Sequence, residues 1–257
     1  MNTRAMANVG AQFSAGPPQE KLAPSGGSEP REAVNVGALI FDMDGTMIDS
    51  MPYHAKSWVE FARNHRIDID VADLLRRTTG STGAECMVEL FQRSFTPQAL
   101  ASLIAEKEGI YRDLFAPEFR EVAGFKVFSA LAVAQGLKFG VGTAGDRHNI
   151  EFAFRHLKMG LKPDAVVGGD EGFPGKPEPA IFLEVARRIA VPPNNCVVFE
   201  DAPFGIEAAK RAGMRAVAIL SSHSAQELAG PHVIATVRNF DELIELNFLE
   251  RLHAVIA

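Results

Sequence analysis

Two short apolar runs in this chain end abruptly in paired acids, and no other feature narrows the fold as much. Gly37-Ala38-Leu39-Ile40-Phe41 leads into Asp42-Met43-Asp44-Gly45-Thr46, and Cys196-Val197-Val198-Phe199 leads into Glu200-Asp201. A run that is apolar at every position, rather than at alternate ones, marks a strand buried on both faces, as in a parallel sheet. The acids then fall at the carboxyl ends of the strands, where open α/β sheets carry their ligands. Similar runs at 139–143, 165–167 and 216–220 alternate with helical patterns at 147–158, 178–190 and 203–212. That alternation predicts an α/β fold on a doubly wound parallel sheet.

Residues 52–122 interrupt the rhythm. They read as successive amphipathic helices without a strand. An insert directly after the first strand lies above its carboxyl end, where it can close over a site and exclude water. The predicted division is a catalytic core over 36–51 and 123–257, with a small helical cap over 52–122. Residues 1–35, rich in Ala, Gly, Pro and Ser, read as a disordered tail. The same composition suits a cleaved targeting peptide. No internal repeat is present.

With 47% hydrophobic and 23% charged residues, the 257-residue chain can build its own core, so a monomer is expected. A formal charge of -6 without clustered Lys and Arg argues against a nucleic-acid binder. No apolar run approaches the roughly 20 residues that span a bilayer, so no membrane association is expected. Cys86 and Cys196, the two cysteines, form neither a zinc pattern nor a disulfide framework, which points to a reducing cytoplasm.

At alternate positions, Asp42 and Asp44 can face one site, one carboxylate attacking phosphorus while the other exchanges a proton. An isolated pair of this kind usually just opens a surface turn. Glu200 and Asp201 weaken that reading, because four acids together supply hard oxygen ligands for Mg²⁺ and would repel one another without a cation. Thr143 and the following amide at Ala144 can donate to phosphate oxygens, and Lys176 in Gly175-Lys176-Pro177-Glu178-Pro179 can balance their charge. Taken singly, Thr143 reads as a helix cap and Lys176 as a solvated lysine.

In this order the four segments resemble the haloacid dehalogenase superfamily, with its Rossmann-like core, over about residues 37–250. The helical insert resembles the subgroup that holds β-phosphoglucomutase and sugar phosphatases. The resemblance implies Asp42 as nucleophile, Asp44 as general acid and base, and Thr143, Ala144 and Lys176 as the phosphate clamp. It also implies Mg²⁺ held by Asp42, Glu200, Asp201 and the carbonyl of Asp44. Haloalkanoate dehalogenation needs no acid two residues after the nucleophile, so Asp44 argues against it. A phosphonate-cleaving relative would need a lysine in the cap loop 80–85, which has none.

His54 and Lys107 look like the hinge histidine and cap lysine of β-phosphoglucomutases, a pair thought to couple cap closure to the placement of the acid/base aspartate. Both are expected to govern specificity, together with Gly80 and Ser81 of the cap loop. Two departures favour a phosphatase over a mutase. The loop 80–85 lacks the arginine that holds a far phosphate, and Asp146 stands where a basic residue is expected. The expectation is therefore a Mg²⁺-dependent phosphatase acting on a small phosphorylated metabolite, a sugar phosphate. The alternatives are a sugar phosphomutase and, from another class, an inactive binding or regulatory module.

Overall fold

The computed structural model describes residues 36–256, so the segment read as a tail lies outside the described residues. The elements run β1 (Ala38–Phe41), α1 (Met51–His65), α2 (Val71–Thr78), α3 (Gly83–Phe91), α4 (Pro97–Phe115), α5 (Phe125–Ala134), β2 (Lys138–Gly142), α6 (Arg147–Leu157), β3 (Ala165–Val167), α7 (Ala180–Arg188), β4 (Cys196–Glu200), α8 (Pro203–Arg211), β5 (Arg215–Ile219), β6 (Val233–Val237), α9 (Phe240–Glu245) and α10 (Phe248–Ile256). The strands form one sheet in the order β3-β2-β1-β4-β5-β6, and every neighbouring pair is parallel.

Strand alternation sorts the core into two layers. Leu39, Phe41, Phe139, Val141, Val197 and Phe199 pack on one face with residues of α5, α6, α9 and α10, while Ala38, Ile40, Cys196 and Val198 pack on the other with α7 and α8. Both faces are covered, which is why these strands are apolar at every position. Chain order reverses between β1 and β4. Their carboxyl ends therefore flank the crevice where a doubly wound sheet receives its ligand.

Helices α1 to α4 enclose a separate apolar cluster built on Trp58, Phe61, Leu74, Cys86 and Met87. The chain leaves and re-enters the sheet region on two segments that pair with each other. Asp49 N donates to Arg120 O at 3.1 Å and Val122 N to Met47 O at 3.0 Å. No described helix is long and apolar enough to cross a membrane.

Candidate active site

Register brings the two acidic strand ends together. Phe41 is opposite Phe199, their rings stack at 4.6 Å between centroids, and Asp42 N donates to Phe199 O at 3.0 Å. Asp42 and Glu200 therefore leave the sheet side by side. Two glycines make the approach possible. Gly45 turns the chain with φ 81°, and a Cβ there would collide with the Asp201 carboxylate; a Cβ at Gly205, in the first turn of α8, would overlap Glu200. Thr46 Oγ1 donates to Asp201 Oδ1 at 3.3 Å, the Ser222 hydroxyl donates to Asp201 Oδ2, and Ala202 N donates to Glu200 Oε2 at 2.8 Å.

Asp42, Glu200 and Asp201 are buried, and their ligand atoms lie within 4.8 Å of one another. Lys176, whose side chain is 1% exposed, donates to Asp42 Oδ1 and, at 2.6 Å, to Glu200 Oε1. One ammonium against three carboxylates leaves two negative charges unbalanced. Burial and this crowding both act on the acids. Burial pushes Asp42 up to about 7 against the pull of Lys176, and burial with the charges of Glu200 and Asp42 holds Asp201 well above the usual carboxylate range. For Lys176, burial opposes its charge, but Asp42 and Glu200 hold it above its ordinary value. Hard oxygen donors carrying two surplus negative charges fit a divalent cation such as Mg²⁺, which reverses this repulsion.

Asp44 belongs to a different set of contacts. Its Oδ1 accepts from Ser50 Oγ at 2.7 Å, His54 Nε2 at 3.1 Å and Tyr111 Oη at 3.2 Å. Burial alone would raise Asp44, yet His54, Ser50 and Tyr111 hold its carboxyl below the usual range. Ser50 precedes α1 at the N-cap position, but its hydroxyl caps nothing and serves Asp44 instead. An ammonium has no acceptor, so Lys107 Nζ donates to His54 Nδ1 at 2.9 Å. The hydrogen-bond network thus assigns the ring proton to Nε2, facing Asp44. The His54 ring also stacks on Tyr111 at 3.8 Å, and Lys107 sits 4.9 Å above the Trp58 ring.

One cavity is lined by every residue expected in the site: Asp42, Asp44, His54, Gly80, Ser81, Lys107, Thr143, Ala144, Lys176, Glu200 and Asp201. The cluster of three acids lacks the Asp44 side chain, which is held by its own donors. Thr143 lies one residue past β2 and is no helix cap; its Oγ1 accepts from Gly145 N at 3.0 Å, and Asp146 caps α6 by accepting from Asn149 N. The loop 80–85 touches the Lys176 segment through one backbone and one side-chain acceptor, since Lys176 N donates to Gly80 O at 3.0 Å and Gly175 N to Glu85 Oε1 at 3.1 Å. Sequence reasoning missed Tyr111, Ser50, Glu108 and Asn149. Tyr111 carried a usable signal, being four residues after Lys107 and so on the same helix face.

Comparison with known proteins agrees with the geometry. Residues 36–213 match the family model described as haloacid dehalogenase-like hydrolase. The chain is 36% identical over 181 residues to fructose-1-phosphate phosphatase YqaB of Escherichia coli, covering 70% of this chain and 94% of that protein. It is 31% identical over 195 residues to validoxylamine A 7'-phosphate phosphatase of Streptomyces hygroscopicus, covering 76% and 91%. In structure it is similar to a β-phosphoglucomutase from Clostridium difficile, with a TM-score of 0.73 over 86% of this chain and 99% of that one. At 24% identity that likeness shows the fold alone.

Proposed function

Because the chain belongs to the haloacid dehalogenase-like hydrolases, we propose that it hydrolyses a sugar phosphate through an aspartyl-phosphate on Asp42, with Mg²⁺ bound. Within that family it is a phosphoric monoester hydrolase of the sugar phosphatase and β-phosphoglucomutase subgroup. The observation that carries the mechanism is the meeting of Asp42, Glu200, Asp201 and Lys176 at the reversal point of the sheet. Residues 52–122 serve as its cap and 36–51 with 123–257 as its core. A reducing compartment suits the two buried free thiols, Cys86 and Cys196.

In the first step an Asp42 carboxylate oxygen attacks phosphorus in line, the ester P–O bond breaks, and Asp44 gives its proton to the departing alcohol oxygen. In the second, Asp44 takes a proton from water, the water oxygen bonds to phosphorus, and the Asp42–phosphorus bond breaks to release inorganic phosphate. Lys176 and the Thr143–Ala144 turn hold the phosphoryl oxygens. Mg²⁺, when bound between Asp42, Glu200, Asp201 and the Asp44 carbonyl, supplies neutralising charge for the phosphoryl group. The contacts of Asp44 describe its base form, since Ser50, His54 and Tyr111 all donate to it. Protonation for the first step requires those donors to loosen, because each stabilises the anion.

The His54 bridge between Asp44 and Lys107 favours a second reading, a phosphomutase in which cap closure sets Asp44. Against it stand a cap loop without arginine and an Asp146 engaged in capping α6. The deciding test supplies Mg²⁺, β-glucose 1-phosphate and a trace of the 1,6-bisphosphate, then follows glucose 6-phosphate and free phosphate in one tube. Phosphate release without isomerisation is expected. Faster formation of glucose 6-phosphate overturns the phosphatase in favour of the mutase.

A further inference from the structure

The cavity is also lined by two residues with no part in the reaction above, Glu108 of α4 and Asn149 of α6. Glu108 Oε1 accepts from Lys107 Nζ at 2.9 Å, and Oε2 accepts from Asn149 Nδ2 at 2.7 Å. Asn149 is itself oriented by Arg112, whose Nη1 donates to Asn149 Oδ1 at 2.7 Å. The Glu108 side chain is only 12% exposed, so the carboxylate is fixed in place and faces the cavity with little competing water. A carboxylate accepts at roughly four lone-pair sites. Each Glu108 oxygen has one of these donors, which leaves acceptor capacity toward whatever enters.

Charge restricts what that is. The two lysines that line the cavity are both already tied to carboxylates, Lys176 to Asp42 and Glu200 and Lys107 to Glu108, and no arginine lines it among the described residues. An anion placed near Glu108 meets a buried like charge with no spare cation to offset it. A hydroxyl meets an acceptor that strengthens its hydrogen bond.

We propose that Glu108, positioned by Lys107 and Asn149, is the specificity residue for the alcohol half of the substrate, accepting hydroxyls of a polyhydroxylated monophosphate and rejecting bisphosphates. This rests on the phosphatase reading. It accounts for a site that carries a single phosphate clamp beside a fixed acceptor.

The test compares wild type with Glu108→Gln on hexose monophosphates, the matching hexose bisphosphates and n-butyl phosphate. Butyl phosphate has a leaving alcohol that needs a proton as a sugar's does, but it has no further hydroxyl. The ratio of kcat/KM for hexose monophosphate to that for butyl phosphate is expected to fall about tenfold in the variant, carried by KM, which is the scale of one hydrogen bond to a charged acceptor. The preference for monophosphate over bisphosphate should shrink with it. Parallel loss on both substrates overturns the proposal, because Glu108 then acts through Lys107 and His54 on Asp44. A check independent of the variant's folding uses wild type alone: hexose bisphosphates should compete with butyl phosphate about tenfold less well than monophosphates, and equal competition also overturns it. If wild type hydrolyses no ester, butyl phosphate included, the phosphatase reading itself fails and takes this proposal with it.

Discussion

Asp42 is placed where its charge costs stability, between Glu200 and Asp201 in a buried pocket that raises it to about 7. A buried carboxylate crowded by like charges and paired with Lys176 suits the nucleophile role proposed for it. Asp42→Asn removes the proposed nucleophile and one repelling charge together. Turnover should drop on the order of 10⁴-fold or more, the scale seen when a covalent nucleophile is removed, while the melting temperature without Mg²⁺ stays level or rises. Activity assays and thermal melts read the two effects separately. Tyr111, fully buried and one of three donors to Asp44, gives a smaller effect. Tyr111→Phe keeps the ring and deletes one hydrogen bond, so hydrolysis of the phosphoenzyme should slow by about threefold to tenfold, measured by single-turnover release of phosphate. The principal acids were legible in sequence because a charge at the end of an apolar strand is costly unless a ligand or a counter-charge meets it, and Lys176 because such acids call for a cation. Glu108 was not, since adjacent residues on a helix do not ordinarily face each other, and its meetings with Lys107 and with Asn149 of α6 depend on tertiary packing.

Among the elements, α8 shows how local preference yields to the site. Replacing a helical glycine by alanine ordinarily stabilises by about 1 kcal/mol, but at Gly205 the added Cβ overlaps the Glu200 carboxylate. Gly205→Ala should therefore reverse the usual sign, lowering the melting temperature and weakening the Mg²⁺ dependence of activity; a stabilised variant with normal Mg²⁺ response would contradict this. Strands β1, β2, β3, β4 and β5 and helices α6, α7 and α8 follow the sequence pattern to within two residues. Helix α7 begins at Ala180 rather than 178, because a residue preceding a proline avoids helical geometry and Pro179 follows position 178. The sheet gains β6, which the pattern did not announce. As an edge strand most of whose residues are only partly buried, it lacks the continuous apolar run that marked the others. Helices α5, α9 and α10 likewise went unread, α9 being only six residues long.

For the molecule as a whole, the unbalanced acids link metal binding to folding. A cation that binds only the folded state at 100 times its Kd contributes about 2.7 kcal/mol. For a domain of this size that corresponds to a rise of about 5–10 °C in melting temperature. Calorimetry with and without Mg²⁺ should find such a rise in wild type and lose it in Asp201→Asn, whose fold without metal should be no less stable. The parallel sheet and the helical insert were foreseeable because each rests on periodicity, whereas the order of the strands depends on tertiary packing and the set of donors around Asp44 draws on α1, α4 and the turn between β1 and α1 at once. The proposed mechanism turns on one covalent step at Asp42. Its direct test is the Asp44→Asn variant with Mg²⁺ and p-nitrophenyl phosphate, an ester whose leaving group needs no proton. Acid quench and peptide mass spectrometry should find one phosphoryl group on the peptide that carries Asp42, after a burst of about one equivalent of p-nitrophenol. No adduct in either the variant or wild type, while wild type still releases phosphate, would contradict an aspartyl-phosphate on Asp42.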